Sequence, residues 1–182
     1  MHAERILEHY DIRPPRLSDA AALAAAYRHN RDHLAPYEPR RTDIFYTAAG
    51  QRESLGISLE AAQHGRAAGW LILAGESVVG RINLNTIVRG AAHSAHVGYW
   101  VDREHTGRGL ATAAVEYACD AAVDLGLHRI EAGTLTDNLA SQAVLRKCGF
   151  EQIGHARSYL FIDGAWGDHD IFQRILNDKP PG

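Results

Sequence analysis

Apolar residues in the middle of the chain form short bounded runs, while on either side they recur every three or four positions. The runs Trp70 to Ala74, Val78 to Ile87 and Ala95 to Val101 predict three successive strands. Gly75-Glu76-Ser77 joins the first two as a hairpin, giving an antiparallel meander. Upstream, Leu55, Leu59 and Ala62 keep helical steps and predict a helix from about Arg52 to Arg66, with Gly69 as its stop. Downstream, Ala111, Val115, Ala118, Ala122 and Leu125 predict a long helix over Leu110 to Leu125, broken by Gly126. Near the start, Ile6 to Arg13 reads as a strand stopped by Pro14 and Pro15, because proline donates no ladder hydrogen bond. The alanine-rich run Ala20 to His29 favours helix, with Ser18 or Asp19 as its cap, and Pro36 and Pro39 then punctuate a loop. A strand over Arg129 to Leu135, a helix over Leu139 to Cys148, and strands over Glu151 to Ile162 and His169 to Ile175 complete the chain.

Strand, helix, strand around Val101 to Leu135 implies one parallel crossover inside a sheet that is otherwise antiparallel. A doubly wound parallel sheet would alternate strands and helices from the start, which residues 70–101 do not do. With 182 residues the expectation is a single domain over 1–182. A formal charge of -3 supplies no electrostatic footprint for nucleic acid. No stretch approaches the roughly 18 to 20 apolar residues of a membrane span, and Met1 to Arg13 lacks the apolar core of a secretory signal, so the expected location is cytoplasmic with no membrane partner. Cys119 and Cys148 fall inside helical patterns and read as buried, reduced packing residues; a catalytic thiol is the alternative.

Between a strand and a helix lies His105-Thr106-Gly107-Arg108-Gly109-Leu110-Ala111-Thr112. Glycines there let backbone amides approach an anion, the helix start offers four amides without internal partners, and Arg108 adds a cation. Such a loop suits a pyrophosphate, although an ordinary strand-to-helix turn uses the same residues. A dinucleotide-binding turn is the rival, with Glu131 as its ribose acid. Five residues separate Gly107 from Val101, the third glycine position is Thr112, and the unit follows an antiparallel meander; all three features argue against it.

Gly98-Tyr99-Trp100-Val101-Asp102, Gly107-Arg108-Gly109-Leu110-Ala111-Thr112, Asp137-Asn138-x-x-Ser141, Gly149-Phe150 and Gly164-x-Trp166-x-Asp168 together resemble the GNAT superfamily, and more narrowly its RimJ/RimL type. The resemblance covers essentially the whole chain. It implies an α/β (α+β) GNAT fold: a mixed, mostly antiparallel, splayed sheet of about six to seven strands flanked by about four helices. It further implies acetyl-CoA as co-substrate, with no metal, and acetyl transfer to an amine. By the same resemblance Gly107, Arg108, Gly109, Leu110, Ala111 and Thr112 hold the pyrophosphate, while Tyr99, Trp100, Val101 and Asn138 line the pantetheine path. Whichever ring of Tyr99 and Trp100 points away from the cofactor is a packing residue. Two positions depart from the family pattern: Thr106 replaces a usual Gln or Arg, and Leu145 stands where many members carry a tyrosine that protonates the sulfur.

The amine must lose a proton before it attacks, and the sulfur leaves more easily with a hydrogen bond or proton. For the sulfur the resemblance implies Ser141, one turn beyond Asn138, which joins it as a catalytic residue by orienting the loop or the pantetheine; both also suit helix-start capping. Glu131, Asp168 and His169 are candidates for the base, each with a reading as a solvated side chain. His93 and His96 lack the further ligands a metal needs. A terminal α-amine, pKa about 8, is easier to deprotonate than a lysine at about 10.4, by roughly 3 kcal/mol. The resemblance accordingly implies a protein N-terminus, typically ribosomal, as acceptor. Polyamines, aminoglycosides or amino acids are the alternative acceptors, and a non-catalytic acyl-CoA-binding module is the reading from another class. Acceptor identity is expected in the loops Pro36 to Tyr46, Ile87 to His93 and Ile162 to Asp170. A homodimer is a further expectation from the resemblance.

Overall fold

A computed structural model describes residues 3–180. In chain order the elements are β1 (Glu4–Leu7), β2 (Tyr10–Arg13), α1 (Ala20–His29), α2 (Arg31–Leu34), α3 (Ala48–Gln63), β3 (Ala68–Ala74), β4 (Ser77–Val88), β5 (Ser94–Val101), α4 (Leu110–Asp124), β6 (Arg129–Leu135), α5 (Leu139–Lys147), β7 (Glu151–Ile162) and β8 (Ala165–Ile175). All eight strands join one sheet, ordered β1-β2-β3-β4-β5-β6-β8-β7, and only β5 and β6 run parallel. No helix among the described residues is long and apolar enough to cross a membrane.

Period-two alternation sorts the strand residues between two cores. From β3, Leu71 and Leu73 join Leu23, Tyr27 and Leu34 beneath α1 and α2, together with Leu55 of α3. Trp70 and Ile72 turn to the other face, where Leu110, Ala114, Val115, Ala118 and Ala122 of α4 pack with Ile82, Ile130 and Phe172. Leu23, Leu55 and Leu71 are fully buried, and each such side chain contributes about 1.5–3 kcal/mol of transfer free energy.

The sheet opens in its middle. Parallel pairing of β5 with β6 covers only Ser94 to His96 against Arg129 to Glu131. Beyond that point β5 stays with β4 as far as Val101, and β6 stays with β8 as far as Leu135. The facing edges of Val97–Val101 and Ala132–Leu135 therefore have no strand partner.

Several elements differ from the sequence expectations. The sheet has eight strands rather than six or seven, because the first predicted strand is a hairpin folded at His9, whose φ is 80°. The described residues form five α-helices rather than about four, α2 being a four-residue turn of helix just before the expected proline loop. Helix α3 starts earlier, at Ala48, and is capped by Thr47, whose hydroxyl accepts the Gly50 N–H at 3.1 Å. Gly50 is required there, since a Cβ would sit 2.0 Å from the Ile44 carbonyl oxygen. Asp19 does not cap α1 with its side chain: Arg13 takes the carboxylate at 2.7 and 2.8 Å, and the Arg16 N–H donates to it at 2.7 Å. The buried face of α4 includes Leu110 and Ala114, whereas Ala111 is half-buried and Leu125 exposed. Strand β8 begins at Ala165, and β7 is interrupted by two register shifts, the second around Ser158 with φ 48°.

Candidate active site

Local geometry makes the loop before α4 an open cradle. Gly107 and Gly109 have φ of 74° and 78°, a region that costs an L-residue roughly 1–2 kcal/mol. Apart from the adjoining residues of the chain, nothing among the described residues lies within 4 Å of the Cβ position of either glycine. Gly109 is the N-cap of α4, so the amides of Leu110, Ala111 and Thr112 lack internal acceptors and carry the helix's partial positive charge. The loop is tethered from below: buried Asn30, at the end of α1, donates to Asp102 Oδ2 at 2.7 Å and accepts the Arg103 N–H at 3.0 Å. Burial works against ionisation of Asp102, but the hydrogen bonds from Asn30 and the Glu104 N–H outweigh it and hold the pKa below the ordinary carboxylate value.

A cavity of about 360 Å³ runs from this cradle to the opening in the sheet. Of the residues singled out by sequence, Tyr99, Trp100, Val101, Gly107, Gly109, Leu110, Ala111, Thr112, Asn138 and Ser141 all line it. Arg108 is not on its wall; the guanidinium instead donates to the Tyr10 hydroxyl at 3.4 Å. His33, Tyr37, Glu38 and Lys147 line the cavity as well, and no motif announced them.

Alternation along β5 separates the two aromatic rings. Trp100 turns toward α1, its indole N–H donating to the Tyr27 hydroxyl at 3.0 Å, so it is the packing residue of the pair. Tyr99 meets α5, where its hydroxyl lies 2.9 Å from Ser141 Oγ and donates to the Ser141 carbonyl at 3.3 Å. Burial pushes the Tyr99 phenol up to about 12, against the pull of the Ser141 bond, which keeps it protonated at neutral pH. Asn138 caps α5 by accepting the Ser141 N–H at 3.1 Å while also lining the cavity, so capping and wall-forming coexist in one residue. Leu145 is fully buried.

A second cavity, of about 370 Å³, includes Arg81, Asn83 and Asn85 of β4 and lies toward α3, whose Ser58 hydroxyl accepts from Arg81 at 3.1 Å. Its wall shares Tyr37, Glu38, Tyr99, Trp100, Asn138 and Ser141 with the first. Two bounded spaces thus meet at the splay, with Ser141 at the junction.

The expected bases fare unevenly. Glu131 sits at the closed end of the splay, paired with Arg129 at 2.8 Å, and lines neither cavity. Asp168 accepts the Ser158 N–H at 2.8 Å on the β7–β8 hairpin and also lines neither. His169 lines the second cavity alone, with Nδ1 3.0 Å from the Gly167 carbonyl. Cys119 and Cys148 are buried and free; burial pushes their thiols up to about 11 and about 12, which works against a thiolate nucleophile, and neither lines the cavities. His96 faces Glu131 at 3.7 Å, whereas the ligand-type side chains that gather are His29, Asp102 and Glu104, within 4.8 Å of one another.

Open glycine turns, a free helix start and unpaired strand edges fit a long ligand with a diphosphate at one end and an extended amide-bearing arm. Over residues 10–151 the chain matches the family described as "Acetyltransferase (GNAT) domain". A Bacillus subtilis protein named "Probable N-acetyltransferase YjcK" is 36% identical over 169 residues, 91% of this chain and 93% of that protein. The structure of ribosomal-protein-S5-alanine acetyltransferase from Vibrio fischeri is 35% identical, with a TM-score of 0.94 over 99% of this chain and 100% of that one. Mycobacterium smegmatis RimJ, solved in complex with CoA-disulfide, is 34% identical, with a TM-score of 0.87 over 91% of this chain and 81% of its own.

Proposed function

The chain belongs to the GNAT acetyltransferases, of the RimJ/RimL type, and is an acetyl-CoA-dependent acyltransferase; from that premise we propose that its acceptor is the α-amine at the N-terminus of a ribosomal protein. One observation carries the reading: a cavity suited to the cofactor meets, at Ser141, a second cavity on the α3 side that suits an acceptor. Similarity to the Vibrio fischeri enzyme supports the choice of a protein terminus, and so does the lower pKa of an α-amine relative to lysine.

In this reading acetyl-CoA, when bound, supplies the acetyl group as a thioester. Amides of Gly107 to Thr112 hold its diphosphate through backbone donors and helix charge. The free edge of Val97–Val101 takes the arm as a neighbouring strand would, with Tyr99, Val101 and Asn138 beside it. Trp100 supports the wall through packing rather than direct recognition. Tyr99 is protonated and its hydroxyl lies 2.9 Å from Ser141 Oγ; when its hydrogen turns from the Ser141 carbonyl to that oxygen, the serine's own hydrogen is free to point at the departing sulfur. Arg108 assists from the rim, where it is salt-sensitive.

The same reading takes residues 1–182 as one acetyltransferase domain, since a single sheet draws strands from Glu4 to Ile175; residues 1–2 and 181–182 lie outside the described residues. It also includes a cytoplasmic location, where ribosomal proteins are made, no nucleic-acid partner, and a homodimer that light scattering would size. Incubation with labelled acetyl-CoA and ribosomal proteins, followed by mass spectrometry of N-terminal peptides, tests the acceptor. Label on an N-terminal α-amine is expected; label entering small amines alone, or no release of free thiol above background, overturns the assignment.

A further inference from the structure

We infer that Glu38 is the residue that takes the proton from the acceptor amine, from a position on the shared wall of the two cavities. The inference rests on the acetyltransferase reading above, but not on which amine is the acceptor.

Glu38 follows the short turn of Ala35–Tyr37 and precedes Pro39. Proline disfavours helical geometry in the residue before it, and Glu38 is accordingly extended, with φ -122° and ψ 154°. Among the described residues it is the one carboxylate lining either the first or the second cavity, and it lines both. Neighbouring acids are already engaged: Asp102 by Asn30, Asp163 by Arg40 at 3.2 Å and Asp170 by His155 at 3.1 Å. Glu38 has no hydrogen bond or ion pair to its side chain among the described residues, so its oxygens are available to a ligand.

Electrostatics suit the task. Burial pushes the Glu38 carboxyl above its ordinary value, while Arg41 and Arg81 pull it back. Besides Arg41 and Arg81, the titratable groups facing these spaces are Tyr27, Tyr37, Tyr99, His33, His105, Lys147 and His169. The tyrosines are weak bases and Lys147 is itself a cation; His105 Nδ1 is engaged by the Tyr10 hydroxyl at 2.9 Å, His33 and His105 line the first cavity but not the second, and His169 lines the second but not the first, its ring against Tyr159 at 5.5 Å. A half-buried carboxylate with a raised pKa is closer in basicity to an ammonium than an exposed one, which makes the transfer less uphill.

The step balances simply. One N–H bond of the ammonium breaks, its electron pair stays on nitrogen for attack on the acyl carbon, and the proton forms an O–H bond on Glu38 directly or through one water. The protonated carboxyl then returns its proton to solvent through the open second cavity, restoring the carboxylate for the next turnover.

Glu38→Gln and Glu38→Asp, compared with the wild-type protein on an alanine-initiated peptide between pH 6.5 and 9.5, test the assignment. At pH 7 the glutamine variant is expected to lose about 10²-fold or more in kcat/KM. The deficit shrinks as pH passes the α-amine pKa of about 8, where the free amine no longer needs a base. Glu38→Asp recovers part of the activity. Calorimetric affinity for acetyl-CoA and the unfolding midpoint stay unchanged in both variants. In carbon-13 spectra of glutamate-labelled protein, the carboxyl resonance removed by Glu38→Gln titrates above the ordinary glutamate range. A deficit equal at both ends of the pH range, or a raised acceptor KM with kcat intact, overturns the inference. If the wild-type protein acetylates only small amines, the peptide reading fails, and the Glu38 comparison proceeds on the best of those amines.

Discussion

Replacing Asn30 with alanine removes three hydrogen bonds from a fully buried side chain. Asn30 donates to the Ala26 carbonyl at 3.0 Å and to Asp102 at 2.7 Å, and accepts the Arg103 N–H at 3.0 Å. The bond to the Asp102 carboxylate is charge-assisted and accounts for about 1.5–3 kcal/mol; the Arg103 amide left without an acceptor adds about 1 kcal/mol, the low end because that segment borders solvent. Urea unfolding is therefore expected to show a loss of about 2.5–4 kcal/mol at unchanged slope. The freed segment runs directly into Gly107 and Gly109, so acetyl-CoA affinity measured by calorimetry falls about tenfold, equivalent to about 1.4 kcal/mol. Asn30→Asp faces Asp102 with a second negative charge, and its penalty should ease as pH falls toward the carboxylate range. A loss below about 1 kcal/mol together with unaltered acetyl-CoA affinity would refute the view that α1 holds the cofactor loop in place.

Ser141→Ala is expected to lower kcat by about 10²-fold or more while leaving acetyl-CoA affinity nearly intact, measured by steady-state kinetics alongside calorimetry. Full turnover with an unchanged pH profile would remove Ser141 from the sulfur side. Gly109→Ala forces a Cβ onto a φ of 78°, and thermal unfolding should register a cost of about 1–2 kcal/mol with weakened acetyl-CoA binding. The Asp19 pKa is held below its unfolded value, first by the Arg13 hydrogen bond and also by the Arg16 amide, with burial opposing. The associated stability is present in full above the unfolded carboxylate value of about 4 and is lost as pH falls through the folded value. Asp19→Asn should flatten that acid limb in unfolding experiments from pH 6 to 2, and an unaltered limb would dissociate Asp19 from it.

Much of this architecture is written in local signals. Apolar spacing and glycine stops place α4, β6 and α5 to within a residue or two, because each is bounded by a strong breaker: Gly109, Gly126 or Gly149. The glycine turn before α4 is legible for the same reason, since turn chemistry leaves marks in sequence, whereas Ser141 is singled out by the family resemblance and its position three residues after Asn138 speaks equally for capping. What escaped depends on distant contacts. A positive φ at His9 splits the first strand without a glycine to signal it. Asp19 sits where a cap should be, yet an arginine six residues earlier claims its carboxylate. Which of Tyr99 and Trp100 reaches Ser141 of α5 and which reaches Tyr27 of α1 follows from the placing of the helices on the two sides of β5, which the pair alone does not reveal. Glu38 belongs to no motif; it reaches the junction only because α1 and α2 fold across β5.

The meeting of the two spaces at Ser141 also decides the traffic of molecules. In the proposed reading the acceptor comes to Ser141 from the α3 side and the donor from the α4 side, so the two need not take turns in one space. That reading requires no side chain to carry the acyl group in between. The buried, protonated cysteines are in keeping with that direct hand-over.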